Sequence, residues 1–181
     1  MALDTVSAAE HFALKQSTNP NRIIISNPPN HPPAVPSYSH ISTVPLSPTT
    51  RLVSFAGQTY KSLLTPTPPP PFQTQVRLAL ENVDKCMAFA GVSKRDIVSN
   101  RQYCVKLQGL SQEDQDARSV IFLEWWNDRG AESGGGGGAS SSPRDAAKEN
   151  LAPPDTLIGV DSLASKDILY EIEITCVAPM P

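Results

Sequence analysis

The stretch ILYEIEITCVA at residues 168–178 constrains the fold of this 181-residue chain more than any other. Successive side chains along it alternate between two faces, and β-branched residues fill its centre, which is the pattern of a half-buried β-strand. Side chains on the same face of a strand lie about 7 Å apart, so Glu171 and Glu173 project side by side. The plain interpretation is that both carboxylates face solvent, because carboxylates are seldom buried unless they are paired or functional. The alternative, a pair that borders a functional site, depends on the rest of the chain.

Composition and charge restrict the class of protein. A chain of this length with 39% hydrophobic residues fits one domain with a core. The formal net charge of −3, without a cluster of Lys and Arg, argues against nucleic-acid or acidic-membrane partners. No apolar run approaches the roughly 20 residues that cross a bilayer. The N-terminal stretch lacks a secretory pattern, and Asp4 and Glu10 are unusual in a mitochondrial transit peptide. We predict a cytoplasmic protein, with a mitochondrial location as the less favoured alternative.

The cysteines and histidines do not form a metal-binding pattern. The three cysteines are widely spaced and include no CxxC pair, so they are predicted to be small core residues in a reducing compartment. The three histidines fall in Pro/Ser-rich sequence, far from the cysteines. The residues concerned are Cys86, Cys104, Cys176, His11, His31 and His40. The sequence therefore predicts neither a metal site nor a cofactor.

Proline and glycine divide the chain into segments. Proline concentrates at residues 28–36 and 66–71, where the backbone can form neither a helix nor an interior strand. Residues 1–20 show only a weak helical pattern and are predicted to be a flexible leader. The Gly/Ser-rich segment 130–152 cannot bury enough apolar surface to order itself. We therefore predict one domain, residues 21–181, with a disordered insertion at 130–152.

Hydrophobic periodicity predicts six strands and two helices, in the order strand, strand, strand, helix, strand, helix, strand, strand. The strands are expected at residues 22–26, 38–46, 51–58, 97–107, 155–163 and 168–178, and the helices at residues 72–90 and 111–129. This order predicts an α+β domain in which two helices pack on one face of a mixed sheet.

Three of these elements allow a prediction of their buried faces. The first helix carries an apolar stripe at helical spacing, formed by Val76, Leu80, Val83, Met87 and Ala90. The residues of the second helix expected to face inward are Val120, Phe122, Leu123 and Trp126. One face of the strand at 97–107 is expected to carry Ile97, Tyr103, Val105 and Leu107.

Several short blocks, in this order and spacing, resemble the reactive-intermediate deaminase (Rid, or YjgF-like) family. They are SYSHIS around Tyr38, SFAGQT at 54–59, QVRLALENVDKCMAFAGVSKRDIV at 75–98, RQYCVKL at 101–107, PPDTLIGVDSLAS at 153–165 and YEIEITCVA at 170–178. The resemblance covers about residues 37–178. It implies a chorismate-mutase-like fold and a homotrimer, in which the sheets form a central barrel and three clefts lie between subunits. A sheet with helices on one face independently favours closed symmetry, because its other face must be covered.

The resemblance also implies a chemistry. Enzymes of this family hydrolyse enamine or imine intermediates to 2-keto acids and ammonia. One cation fixes the substrate carboxylate and one acidic residue orients or activates water. The family's water-positioning glutamate corresponds to Glu171 and its cleft tyrosine to Tyr38. Its site glycine corresponds to Gly57, and the Ser/Thr of its Pro-x-Arg-Ser/Thr pattern corresponds to Thr156.

Asp155 is the main departure from the family pattern, because it stands where the family has arginine. The planar fork of an arginine donates two parallel hydrogen bonds to a carboxylate. An aspartate offers only acceptors, and at a distance of about 4 Å it would repel a substrate carboxylate by several kcal/mol. The plain alternative is that Asp155 is an ordinary loop residue after two prolines.

Three hypotheses about function follow from this departure. In the first, the chain is an imine or enamine deaminase in which Arg144 or Lys148 of the insertion supplies the missing cation. In the second, it is an enzyme whose substrate has no carboxylate, and Asp155 and Glu171 form an acidic pair for acid/base catalysis. In the third, it is a trimeric protein that binds a ligand or partner without catalysis.

Overall fold

A computed structural model describes residues 22–29, 31, 37–62, 65–128 and 151–181. The predicted leader and the predicted insertion up to residue 150 lie outside these ranges. Within the ranges, none of the helices combines the length and the hydrophobicity that a bilayer crossing needs.

The described part of the chain contains six strands and two α-helices in the predicted order. Their bounds are β1 Ile24–Ser26, β2 Ile41–Ser47, β3 Thr50–Gln58, α1 Phe72–Ala90, β4 Ile97–Val105, α2 Gln112–Asn127, β5 Asp155–Val160 and β6 Tyr170–Pro179. The strands form one sheet in the order β1-β2-β3-β6-β4-β5. Only the β4–β5 pair is parallel, so the sheet is mixed, as expected.

Helix α1 matches its prediction in both bounds and buried face. All five residues of its predicted apolar stripe are buried. The helix ends at Gly91, whose φ of 63° is left-handed and costs glycine little. The N–H of Gly91 bonds to the Ala88 carbonyl, which satisfies one of the last carbonyls of the helix.

Helix α2 begins where the sequence predicts, but the prediction of its inward face was partly wrong. Ser111 caps the helix by accepting a hydrogen bond from the Asp114 N–H at 3.1 Å. Val120 and Leu123 are 52% and 47% exposed, however, and the buried residues are Ile121, Phe122, Trp125 and Trp126. Relative to the prediction, the inward face is shifted around the helix axis, because Trp125 and Trp126 both pack inward. The Trp125 indole donates to Asp84 of α1 at 2.9 Å.

The central strand β6 confirms the alternation that the sequence predicts. Tyr170, Ile172 and Ile174 are buried on the face covered by the helices, where they join the hydrophobic core. Glu171 and Glu173 are half-buried on the opposite face. Helices α1 and α2 therefore cover only one face of the sheet, and no helix of the described residues covers the other, on which both carboxylates lie; we call this second face the uncovered face.

Candidate active site

Glu171 lies against the backbone of β3 at a break in the sheet. The pairing of β3 with β6 is irregular between Phe55 and Gln58, and Gly57 sits in this irregularity. A side chain at Gly57 would overlap the Glu171 carboxylate, and its Cβ would lie 2.7 Å from the Glu171 Cγ. The absence of a side chain at Gly57 therefore makes room for the Glu171 carboxyl group.

The environment of Glu171 favours its protonated form. Burial is the larger cause that raises its pKa, and the neighbouring Glu173 carboxylate raises it further. A glutamate with a raised pKa is suited to acid/base catalysis, because it exchanges protons closer to neutral pH than an ordinary glutamate does.

A cavity of about 320 Å³ brings three of the predicted site residues together. Glu171, Tyr38 and Gly57 all line it. The remaining lining residues are His31, His40, Ala56, Gln58, Thr59, Lys61, Ala164 and Ile168. We call this space the Glu171 cavity.

A larger cavity of about 510 Å³ adjoins the Glu171 cavity on the uncovered sheet face, and the two share Tyr38 and Ala56. Glu173 lines it and is paired there. The Tyr103 hydroxyl donates to Glu173 Oε2 at 3.0 Å, and the Arg101 guanidinium lies 3.6 Å from the same oxygen. Burial and Glu173 raise the pKa of Tyr103, so its hydroxyl remains a donor. The two neighbouring glutamates thus have different surroundings.

Two histidines that no sequence motif marks as site residues also line the Glu171 cavity. The His31 and His40 rings meet edge to face, with their centres 4.3 Å apart. The Gln58 side-chain nitrogen donates to the Ala56 carbonyl at 2.6 Å, so the Gln58 oxygen accepts from His31 Nε2 at 2.7 Å. Burial, followed by the nearby His40, lowers the pKa of His31 to about 4. At neutral pH His31 is therefore an uncharged hydrogen-bonding group.

Asp155 and Thr156, the other predicted site residues, do not line the Glu171 cavity of their own chain. Asp155 Oδ2 accepts from the Gln102 side chain at 3.0 Å. Gln102 is buried, and its oxygen accepts from the Tyr170 hydroxyl at 2.8 Å and from Arg118 at 2.7 Å. This network lies on the sheet face that the helices cover.

The catalytic role of Asp155 therefore stays a prediction that needs a second subunit. Thr156 lies opposite Arg101 in the register of β5 and β4, and its role as a binding residue likewise stays a prediction. Arg144 and Lys148, of which the first of the three hypotheses needs one in place of the arginine, lie outside the described residues. Among the residues that the structure does describe, no group of three His, Cys, Asp or Glu side chains is arranged to hold a metal ion.

Comparison with known proteins gives matches in structure rather than in sequence. No family model matches the chain, and no curated protein matches it significantly. E. coli TdcF, solved with bound serine, is 23% identical at a TM-score of 0.60, and the match covers 85% of this chain and 97% of TdcF. The E. coli YjgF gene product is 22% identical at a TM-score of 0.58, covering 82% of this chain and 93% of YjgF.

A third solved structure names the family to which such proteins belong. Rv2704 from Mycobacterium tuberculosis, described as a member of the YjgF/YER057c/UK114 family, is 18% identical at a TM-score of 0.50. The match covers 78% of this chain and 86% of Rv2704. Together with the mixed sheet and its two helices, these likenesses show that the chain has the fold of the YjgF/YER057c/UK114 family, as its sequence resemblance predicts.

Proposed function

We propose that the protein is an imine or enamine deaminase, which hydrolyses the C=N bond of an imine, or of the imine tautomer of an enamine, to a carbonyl compound and ammonia. The placement of Glu171 carries this proposal. Its carboxyl group packs against Gly57 and lines a cavity together with Tyr38. The bound serine of TdcF, which has a similar fold, supports a site for a small metabolite in this protein.

The proposed reaction needs one group that accepts a proton and returns it. The ionised Glu171 takes a proton from water as the water oxygen bonds to the imine carbon and the C=N π electrons move to nitrogen. That proton then passes to the nitrogen. A second transfer, from the new hydroxyl group to the nitrogen through the same carboxylate, lets the C–O bond become C=O while the C–N bond breaks. The products are a carbonyl compound and ammonia, and Glu171 ends in its starting state.

We further propose that the functional unit is a homotrimer. The uncovered sheet face carries half-buried apolar side chains, such as Leu52 and Val177, which lie opposite each other in the register of β3 and β6. Burying apolar surface is favourable, and closed rotational symmetry buries this face without leaving a further one uncovered. Sedimentation velocity should give the mass of three chains, and a monomer would contradict the proposal.

A coupled assay tests the catalytic proposal. An auxiliary dehydratase generates 2-iminobutanoate, and lactate dehydrogenase reports the release of the 2-keto acid. We expect the protein to accelerate release over buffer. Glu171→Gln should lower kcat by about 10²- to 10⁴-fold, the range typical of a lost general acid/base. Glu113→Gln, which removes an exposed carboxylate from the first turn of α2, is the matched control. No acceleration over buffer by the wild-type protein would refute the proposal.

The second candidate function is a trimeric protein that binds a ligand or partner without catalysis. The observation that favours it is Asp155, because the start of β5 carries a carboxylate bonded to Gln102 instead of an arginine available for substrate. A metabolite that binds the Glu171 cavity in calorimetry, in a protein that does not accelerate imine hydrolysis, would support this candidate.

A further inference from the structure

The Glu171 cavity contains a cation that the sequence pattern did not point to. Lys61 lies just after β3 and lines the cavity together with Glu171. It is the only Lys or Arg among the described residues that line this cavity. Its Nζ lies 4.8 Å from the centre of the buried Tyr60 ring. Among the described residues, no carboxylate lies within ion-pair distance of its ammonium group.

The backbone around Lys61 is fixed to helix α1. The side-chain nitrogen of the buried Asn82 donates to the Thr59 carbonyl at 2.8 Å and to the Lys61 carbonyl at 2.7 Å. The oxygen of the same amide accepts from Lys85 at 2.9 Å. Both polar ends of Asn82 are thus in use, and its nitrogen holds the loop that carries Lys61. Fixing the backbone reduces the conformational entropy that a ligand must overcome when it uses this lysine.

A second lysine, Lys85 on helix α1, adds positive charge near His31, which lines the cavity. Burial is the largest cause of the lowered pKa of His31, followed by His40, and Lys85 makes a smaller contribution in the same direction. Glu171 lines the same cavity. The cavity therefore presents a basic group and a carboxyl group to one small ligand.

We infer that Lys61 binds the substrate carboxylate in place of the arginine expected at position 155, so that the site takes 2-imino acids. This inference rests on the proposed deaminase function for its substrate, but its test is a binding measurement that does not require turnover. A lysine is a compact point charge without the planar fork of an arginine, so the site should tolerate carboxylates in more than one orientation.

Calorimetry with the full chain tests the inference, using 2-oxobutanoate as the carboxylate probe and butanone as its neutral analogue. We expect the wild-type protein to bind 2-oxobutanoate and not butanone. Lys61→Met should weaken 2-oxobutanoate binding by about 10- to 100-fold, as expected for one lost charged hydrogen bond. Lys61→Arg should restore most of that affinity. Arg95→Met is the control. It removes an exposed cation two residues before Ile97, which pairs with Cys176 near the end of β6 away from Glu171, and it should leave the affinity unchanged.

The outcomes separate this inference from the proposed function. Equal affinities of wild type and Lys61→Met, or no binding of 2-oxobutanoate by wild type, would overturn the role of Lys61. If imine hydrolysis is accelerated but Lys61→Met leaves KM unchanged, the deaminase proposal stands and the role of Lys61 in carboxylate binding is refuted. If wild type binds 2-oxobutanoate through Lys61 without accelerating hydrolysis, the role of Lys61 in carboxylate binding stands and the deaminase proposal fails.

Discussion

Gly57→Ala tests the proposed active site at a position where the Glu171 side chain leaves no room for a methyl group. The new methyl group would overlap the Glu171 carboxylate and lie 2.7 Å from its Cγ. The three atoms nearest to it all belong to this one side chain. The glutamate is therefore expected to rotate away while the sheet keeps its register.

The expected losses of stability and of activity follow from that geometry. Forcing a side chain aside in a packed site costs typically about 1–3 kcal/mol, which lowers Tm by about 2–4 °C per kcal/mol for a chain of this size. A catalytic group displaced by about 1 Å costs on the order of 10²-fold in rate. We expect Gly57→Ala to remain folded, with a Tm lower by several degrees and with kcat for imine hydrolysis reduced by about 100-fold.

Differential scanning calorimetry and the coupled imine assay measure these effects. Gly109→Ala is the control, because its added methyl group would meet nothing closer than 3.9 Å. If Gly57→Ala acts through Glu171, it should have little further effect on kcat in the Glu171→Gln background. A Gly57→Ala protein with wild-type kcat, or an equal loss of activity in the Glu171→Gln background, would refute the reasoning.

Three further predictions concern stability and assembly. The folded protein holds the Glu171 proton more tightly than the unfolded chain, so stability is lost as pH rises through its raised pKa. Urea unfolding should therefore show Glu171→Gln gaining stability relative to wild type between pH 4 and pH 7, and a constant difference would contradict this. Gln102→Leu removes the partner of the Tyr170 hydroxyl and of Arg118, so urea unfolding should show a loss of about 1–3 kcal/mol; an unchanged midpoint would contradict the network's role. Leu52→Asp places a charge on the uncovered sheet face, so sedimentation velocity should show monomers, and an unchanged mass would exclude this face from the interface.

The elements that the sequence predicted well are those whose pattern is local. Helix α1 was predicted with its bounds and its buried stripe, because apolar residues at helical spacing specify both. Strand β6 was predicted with both faces, because its alternation is unbroken. The placement of Glu171 on the uncovered face follows directly from that alternation.

A bulge explains why one predicted face was wrong. Ile97 and Tyr103 were expected on the same face of β4. The pairing of β4 with β6 shifts between Ile97 and Ser99, so Ile97 is buried toward the helices while Tyr103 lies with Glu173 on the uncovered face. One extra residue reverses every later side chain of a strand, and composition alone does not reveal where the extra residue lies.

The contacts that complete the Glu171 cavity could not be predicted, because they join residues far apart in the chain. His31 reaches Gln58 across 27 residues, and its proline-rich surroundings gave no periodic pattern to follow. Lys61 gave no signal either, since a lysine after a strand is ordinarily a surface residue. Its place in the cavity depends on Asn82, which binds the loop from the neighbouring helix.

The position of Asp155 changes how the missing arginine should be understood. Repulsion of several kcal/mol requires that the aspartate touch the bound anion. Within one chain, Asp155 bonds to Gln102 on the covered face, whereas Glu171 lines the cavity on the other side of the sheet. Within one chain, Asp155 therefore places no repelling charge at the lining of the Glu171 cavity. Lys61 is the one Lys or Arg among the described residues that line this cavity, and we infer that it supplies the positive charge that an arginine at position 155 would otherwise supply. If Lys61 binds the substrate carboxylate as inferred, the departure from the family pattern does not rule out an acidic substrate.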